Sequence, residues 1–215
     1  IGVAFFYHVF PRTSIIERQA VDKHGEKQFI ATNIDIGFIV QAINRDFNVN
    51  RLERYLTICN ASKVTPIIVL TKIDLVSETE LVSILESVSK RIQNVNIIPV
   101  SNEKNVGLDA LKSIIKKGNT YCLLGSSGVG KSTLINSISG KNLMKTGEIS
   151  ESIDRGKHVT THRELIVLEG GGIIIDNPGM REVGITESSN GLEVTFETIF
   201  ELATQCRFSD CKASS

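Results

Sequence analysis

A glycine-rich loop between an apolar strand and a helix constrains the fold of this chain more than any other feature of its sequence. Residues 121–124 are apolar, and a G-x-x-x-x-G-K-S pattern fills residues 125–132, with a helix predicted from about Lys131. The glycines let backbone N–H groups turn inward around phosphates, and the helix N-terminus adds positive potential. Lys131 would reach the β and γ phosphates, and the Ser132 hydroxyl would bind Mg²⁺. The candidate nucleotide-binding residues in this loop are Gly125, Ser126, Ser127, Gly128, Val129, Gly130, Lys131, Ser132 and Thr133.

Apolar runs alternate with helical patterns from residue 35 onward. One helix start is marked by Ser77 and Glu80, whose S-x-x-E spacing predicts reciprocal capping, and a helix from Leu108 is predicted to end near Gly118. Alternation of this kind is typical of βαβ units, so the sequence predicts an α/β fold with a mostly parallel sheet. The predicted strands lie at residues 37–40, 67–70, 95–100, 121–124, 164–168 and 173–175, the last two joined by a glycine turn.

The first 32 residues have a different pattern. They are strand-like, with apolar residues before Pro11 and two further runs at residues 14–16 and 29–31. So short a segment cannot close a sheet of its own, which predicts the remnant of a small β-domain. The apolar residues before Pro11 are Phe5, Phe6, Tyr7, Val9 and Phe10.

A second phosphate-side motif follows the last predicted strand. Asp176 ends the apolar run at residues 173–175, and Gly179 completes a D-x-x-G pattern. In a P-loop protein, an aspartate at the end of a neighbouring strand holds Mg²⁺, usually through water, and the glycine N–H reaches the γ-phosphate. Asp176 and Gly179 are therefore predicted to complete the phosphate site.

Base recognition is predicted at the end of an earlier strand. The tetrapeptide T-K-I-D at residues 71–74 resembles the N/T-K-x-D guanine motif of GTPases. The Asp74 carboxylate would accept from guanine N1–H and the 2-amino group, whereas adenine would leave this charge unpaired. Thr71 replaces the commoner Asn, which removes an amide contact, keeps a hydroxyl and predicts weaker nucleotide binding.

The loop after the next strand supplies the other base-side candidates. Ser101 and Asn102 resemble the start of the S-A-K loop that faces guanine O6 through backbone N–H groups. Asn102 stands where Ala is usual, which a main-chain contact tolerates. The base-side candidates are Thr71, Lys72, Asp74, Ser101 and Asn102.

These motifs stand in an unusual order. In most GTPases the P-loop precedes the guanine motif, but here residues 71–74 precede residues 125–132. The sequence therefore predicts a circularly permuted P-loop GTPase domain, with the base-binding half of the sheet first. A polar segment at residues 155–165, R-G-K-H-V-T-T-H-R-E-L, occupies the place of a switch loop.

The combination closely resembles the RsgA/YjeQ/YloQ family of circularly permuted, small-subunit-dependent GTPases of bacteria and organelles. The resemblance runs from about residue 33 to residue 211. It implies a partial OB-fold β-barrel at residues 1–33, the GTPase domain at residues 34–190, and the start of a small helical, zinc-binding domain at residues 191–215. It also implies binding to the 30S subunit and its rRNA, action late in subunit maturation, and subunit-stimulated hydrolysis of GTP to GDP with Mg²⁺.

Two departures from the family pattern stand out. The family's zinc pattern is Cys-x4-Cys-x-His followed by a further Cys; Cys206 and Cys211 match, but Ala213 occupies the His position and the sequence stops at Ser215. Two zinc ligands are present instead of the usual four, so the site in this sequence is incomplete. The resemblance implies Zn²⁺ in the complete protein. Asn177 stands where Thr is common.

The candidate catalytic residue is His158. Met180 stands where Ras-like GTPases carry the glutamine that orients the attacking water, and an apolar side chain cannot do this. His158, in the switch segment, is predicted to orient the water, in agreement with the resemblance; a solvated loop histidine is the alternative. Thr161 is preferred over Thr160 as an Mg²⁺ ligand, because T-H-R-E aligns with the T-T-R-D of related switch loops.

Composition limits the partners. With 24 Lys+Arg against 24 Asp+Glu the net charge is zero, which argues against purely electrostatic nucleic-acid binding, so any RNA contact is expected to be local. No run reaches the roughly 18 apolar residues of a membrane span. The sequence opens at Ile1 with no signal pattern, which predicts a soluble, cytoplasmic, monomeric protein that lacks its true N-terminus. Cys59 and Cys122 are predicted to be buried, in a reducing compartment.

Two other functional classes remain open on the sequence. A P-loop ATPase or small-molecule kinase would make residues 71–74 a coincidental turn. An RNA-binding module with a vestigial nucleotide pocket is the other, and the intact Lys131, Ser132 and Asp176 argue against it.

Overall fold

The computed structural model of the 215-residue chain describes residues 7–19, 27–45, 47–144, 164–176, 189–196, 199 and 202. A two-stranded hairpin precedes a six-stranded sheet with helices on both faces. The strands are β1 (Ile15–Gln19), β2 (Lys27–Thr32), β3 (Ile36–Ala42), β4 (Thr65–Thr71), β5 (Asn96–Pro99), β6 (Thr120–Leu124), β7 (Glu164–Val167) and β8 (Ile173–Asp176). The helices are α1 (Val49–Ala61), α2 (Glu78–Arg91), α3 (Leu108–Ile114), α4 (Lys131–Ser139) and α5 (Ser189–Thr195), with a 3-10 turn at Ile73–Leu75.

Five of the six strands in the sheet run parallel. The order across the sheet is β5-β4-β3-β6-β8-β7, with β7 antiparallel at one edge. In β3, Ile36 pairs with Thr65 of β4 on one side and Tyr121 of β6 on the other. The predicted α/β fold with a mostly parallel sheet is confirmed. Because the parallel strands end at one edge, the loops after β4, β5 and β6 open toward the same side.

The strands are apolar because both faces of the sheet are covered. Side chains of each strand alternate between the two faces, so a run of consecutive apolar residues serves two cores. Cys59 of α1 and Cys122 of β6 are free thiols and fully buried, as predicted. One core, under α1 and α2, contains Ile39, Leu70 and Cys122, and the other, under α3 and α4, contains Phe38, Val69 and Leu123.

The two helix ends predicted from sequence have different outcomes. At α2 the capping box is confirmed, since the Ser77 hydroxyl accepts from Glu80 N and the Glu80 carboxylate accepts from Ser77 N at 2.9 Å. Helix α3 ends at Ile114 rather than near Gly118. The Tyr121 hydroxyl donates to Ile114 O at 2.9 Å and accepts from Lys116 N at 2.8 Å, which gives the last turn an alternative to further helix.

The N-terminal segment is less regular than its composition predicts. Strands β1 and β2 form an antiparallel hairpin, as expected for residues 14–16 and 29–31. The described part of the run before Pro11 was expected to be a strand and is not: Tyr7 is 95% exposed, and Val9 and Phe10 also face solvent. Within the described residues no strand lies beside this run, so its backbone gains no ladder of hydrogen bonds.

Helix α5 packs against α1. The Asn60 side chain donates to the Thr195 hydroxyl at 3.0 Å, and that hydroxyl donates to Gly191 O at 2.7 Å. The predicted zinc ligands Cys206 and Cys211 lie outside the described residues. In the described part of the chain, no helix combines the length and apolar character needed to cross a membrane.

Candidate nucleotide site

The P-loop (residues 125–132) connects β6 to α4 at the carboxyl edge of the sheet. Gly125 lies against β3, where a Cβ would come within 2.4 Å of the Val40 carbonyl oxygen, so the close approach requires glycine. Ser127 and Gly128 are exposed at the tip of the loop. The loop is therefore held at its start and open at its tip, where backbone N–H groups can surround a phosphate.

Lys131 is buried at the first position of α4. Its ammonium donates hydrogen bonds to Gly125 O at 2.8 Å and Ser126 O at 2.7 Å. Burial lowers the pKa of Lys131 below its ordinary value of 10.5, and the Asp176 carboxylate partly opposes this shift. Asp176 is buried at the end of β8, in register with Leu123 of β6. The structure thus brings the P-loop lysine and the D-x-x-G aspartate together, as the two motifs predict.

Thr71 joins the base-side strand to the P-loop. It ends β4, is fully buried, and donates its hydroxyl proton to Val129 O at 2.6 Å. Sequence reasoning placed this hydroxyl at the nucleotide. The structure gives it a P-loop carbonyl as its partner, so Thr71 fixes the position of the phosphate loop from the base side.

Asp74 and Ser101 lie together at the ends of β4 and β5. The Ser101 hydroxyl donates to Asp74 Oδ1 at 2.5 Å and accepts from Lys104 N at 3.1 Å. Asp74 is half-buried, which leaves part of its carboxylate accessible, whereas Ser101 is fully buried. Lys72 has a left-handed backbone, with φ of 59°, that turns the chain sharply between Thr71 and Asp74. The two base-side motifs therefore form one cluster.

The base loop (residues 101–106) is a narrow hairpin. Ser101 and Val106 exchange two backbone hydrogen bonds of 3.0 Å. The Asn102 side chain contacts α4, where the Ser137 hydroxyl donates to Asn102 Oδ1 at 2.9 Å. Asn102, predicted to act through its backbone, thus also has a side-chain contact with the helix that follows the P-loop.

Tyr55 is a P-loop contact that sequence reasoning missed. It lies in α1, 4% exposed, and its hydroxyl forms a hydrogen bond with the Ser126 side chain. Burial raises the pKa of Tyr55, with the Ser126 bond acting in the opposite direction. In the sequence Tyr55 is only one apolar position of a helix, and its contact arises because β3, which precedes α1, pairs with β6. Ser137 was missed because its partner, Asn102, is also distant in the sequence.

The remaining predicted site residues lie outside the described part of the chain. They are His158, Thr161 and Gly179, together with the zinc candidates Cys206 and Cys211. Among the described residues, no group of three or more His, Cys, Asp and Glu side chains could hold a metal ion by itself. Of the predicted Mg²⁺ ligands, Ser132 in the first turn of α4 and Asp176 at the end of β8 lie in the described part of the chain.

The loops at this edge of the sheet are arranged as in a P-loop nucleotide-binding domain. The strands on the base side precede the P-loop in the chain. The chain belongs to the RsgA GTPase family, whose model matches residues 9–186. It is 50% identical over 208 residues to the small ribosomal subunit biogenesis GTPase RsgA 1 of Listeria innocua, covering 96% of this chain and 59% of that protein. To RsgA of Methanosarcina acetivorans it is 40% identical over 210 residues, covering 98% of this chain and 56% of that protein.

Two solved structures share the fold. YjeQ from Thermotoga maritima superimposes with a TM-score of 0.66 at 24% identity, covering 95% of this chain and 65% of that one. YloQ, described as a circularly permuted GTPase, gives a TM-score of 0.60 at 24% identity, covering 95% and 70%. The predicted permuted topology is thus found in known structures. The chain spans about three fifths of the length of the two curated relatives above.

Proposed function

We propose that this chain is the GTP-hydrolysing part of a factor acting in late maturation of the small (30S) ribosomal subunit. The observation that carries the proposal is the hydrogen bond from Thr71 to Val129 O, which joins the T-K-I-D turn and the P-loop on one sheet edge. One nucleotide could therefore contact both motifs at once. The name that the relatives share, small ribosomal subunit biogenesis GTPase, supports the choice of partner.

Guanine is the base that the cluster around Asp74 fits best. A half-buried carboxylate offers two acceptor oxygens to the N1–H and 2-amino donors of guanine, while adenine has no donors at those positions. Ser101 holds one of these oxygens in place by donating to it. The side chain would therefore meet the base already oriented.

The phosphate side would hold Mg²⁺ together with the nucleotide. The hydroxyl of Ser132 and the carboxylate of Asp176 are hard oxygen donors of the kind Mg²⁺ prefers, and Thr161 would join them from the switch segment. Bound Mg²⁺ would neutralise charge on the phosphate oxygens. Lys131, which donates to two P-loop carbonyls, would turn its remaining capacity toward the β and γ phosphates.

Hydrolysis would depend on His158, because Met180 cannot orient water. We expect slow turnover in the isolated protein and faster turnover on the subunit, which would order the switch segment around the nucleotide. Gly179 would contribute its N–H to the γ-phosphate. The same proposal includes a cytoplasmic monomer that contacts the rRNA of the 30S subunit, the β1–β2 hairpin as the tail of an OB-fold, and a zinc domain to which Cys206 and Cys211 belong.

Competition binding tests the proposal directly. Labelled GTP should be displaced by unlabelled GTP and GDP but not by ATP, and its hydrolysis should accelerate when 30S subunits are added. In Asp74→Asn the preference should move from GTP toward xanthosine triphosphate, since the amide can donate to the 2-oxo group. Equal displacement by ATP would favour the alternative of a P-loop ATPase or kinase.

A further inference from the structure

The base loop is connected by side chains to both halves of the nucleotide site. Its first residue, Ser101, donates to Asp74 on the base side, and its second, Asn102, contacts Ser137 of α4, the helix that begins at the P-loop lysine. We propose that the Asn102–Ser137 contact is a latch that slows the release of guanine nucleotide. This inference rests on the proposed function and adds a control on the lifetime of the bound state.

The hydrogen-bonding capacity of the pair supports a specific contact. The Ser137 hydroxyl has one proton and two acceptors nearby, Asn102 Oδ1 at 2.9 Å and Thr133 O at 3.0 Å. A half-turn of the Asn102 amide lets its NH₂ donate to Ser137 Oγ while the hydroxyl donates to Thr133 O. Both groups are then satisfied, and the contact holds in either orientation. An alanine at residue 102, as in the S-A-K pattern, could make neither bond.

The position of the latch points to release rather than base choice. Thr133 and Ser137 are one helical turn apart, and Thr133 directly follows the P-loop. A nucleotide held by Asp74 at its base and by the P-loop at its phosphates leaves when the base loop and α4 move apart. Breaking the Asn102–Ser137 bond is a step in that movement, so the bond raises the barrier to dissociation. Base preference stays with Asp74.

Dissociation of GDP carrying a fluorescent N-methylanthraniloyl group measures the effect. One neutral hydrogen bond corresponds to a change of about three- to tenfold in rate. Asn102→Ala and Ser137→Ala should each release the labelled GDP faster by this factor, and the double variant no faster than either single one. Ser137→Thr, which keeps the hydroxyl, should restore slow release.

Ser139→Ala is the matched control. Its hydroxyl proton has two acceptors nearby, Asn136 O in α4 and Lys141 O just beyond the helix, each at 3.1 Å, and neither belongs to the base loop. This variant should release GDP at the wild-type rate, and Ser137→Ala should keep the guanine preference. Thermal unfolding of the nucleotide-free proteins distinguishes the latch from a general loss of stability. If Ser137→Ala and Ser139→Ala lower the melting temperature equally, only Ser137→Ala should release GDP faster.

Three results would overturn the latch: unchanged release in both Asn102→Ala and Ser137→Ala, additive effects in the double variant, or equal acceleration in Ser139→Ala. Failure of the wild type to bind labelled GDP at all would instead refute the proposed function, and the latch with it. If Asn102→Ala does not fold, Ser137→Ala and Ser137→Thr decide the question from the helix side.

Discussion

Thr71 shows how one buried hydroxyl can decide the geometry of a site. Its bond to Val129 O is short, at 2.6 Å, and both residues are buried. Thr71→Val keeps the shape of the side chain but removes the donor, which leaves a buried carbonyl with one partner fewer. We expect the free energy of unfolding to fall by about 1–3 kcal/mol in urea titrations, and GDP and GTP affinity to fall together.

Thr71→Ser is the control for that prediction. It keeps the hydroxyl, so it should recover most of the affinity even though the loss of a buried methyl lowers stability. Valine and serine variants with equal affinity would show that the hydroxyl does not position the P-loop.

Lys131 predicts a pH dependence of nucleotide binding. Burial lowers its pKa below 10.5 in the free protein, and a bound triphosphate would favour the charged form and raise that pKa again. Binding therefore takes up a proton between the two pKa values. Affinity should fall as the pH rises from the pKa of Lys131 in the free protein toward its pKa in the complex.

Lys131→Arg separates this effect from ionisation of the base. The guanidinium stays protonated, so the affinity of Lys131→Arg changes with pH only through ionisation of guanine. That contribution is the same in the wild type and the variant. Isothermal titration across the alkaline range should give a wild-type affinity that falls more steeply than that of the variant. Parallel profiles would exclude Lys131 as the titrating group.

At the level of elements, local sequence patterns carried much of the prediction and failed where a distant residue intervened. The start of α2 follows from Ser77 and Glu80, which lie three residues apart. The end of α3 depends on Tyr121, a residue of the next strand whose hydroxyl reaches Ile114 O. No pattern within α3 contains that information, so the helix was predicted too long.

The turn before α3 offers a sharp test at this scale. Gly107 has a φ of 76°, and a Cβ there would lie 2.1 Å from the Pro99 carbonyl oxygen. Gly107→Ala would have to displace β5 or the base loop, and we expect it to lower the free energy of unfolding by more than about 2 kcal/mol. GDP binding should weaken as well, because Asp74 is held from this loop.

Gly118→Ala supplies the comparison. It has a similar φ of 83° but open space around a Cβ, so it reports the backbone strain alone, about 1 kcal/mol. Urea titration of both variants measures the difference. Equal losses would mean that the contact with Pro99 O is relieved without cost.

At the scale of the whole molecule, the order of motifs was enough to predict the permuted topology. The base half, β3 to α3, and the phosphate half, β6 onward, meet where β3 pairs with β6. The side-chain contacts across that junction were not predictable, because Tyr55 and Ser126 are far apart in sequence and only the strand order brings them together. Asn102 and Ser137 are a second such pair.

The prediction that belongs to the complete assembly concerns His158. If His158 orients the attacking water, His158→Ala should lower subunit-stimulated GTP turnover roughly 100-fold while nucleotide affinity stays nearly unchanged. The exposed His8 is the control, and His8→Ala should behave like the wild type.

Turnover and co-sedimentation with 30S subunits, measured on the same His158→Ala preparation, distinguish the roles. Retained co-sedimentation with lost turnover supports catalysis. Wild-type turnover would make His158 an ordinary loop residue, and lost co-sedimentation would make it a binding residue.

The buried thiols of Cys59 and Cys122 can report how often α1 separates from the sheet. Burial raises the pKa of Cys59 to about 12 and that of Cys122 well above its ordinary value, so neither sulphur reacts while α1 rests on the sheet. Alkylation requires local opening of α1, so its rate measures the frequency of that opening. Because Tyr55, one helical turn before Cys59 in α1, contacts Ser126 of the P-loop, bound nucleotide should make these openings rarer and slow the alkylation.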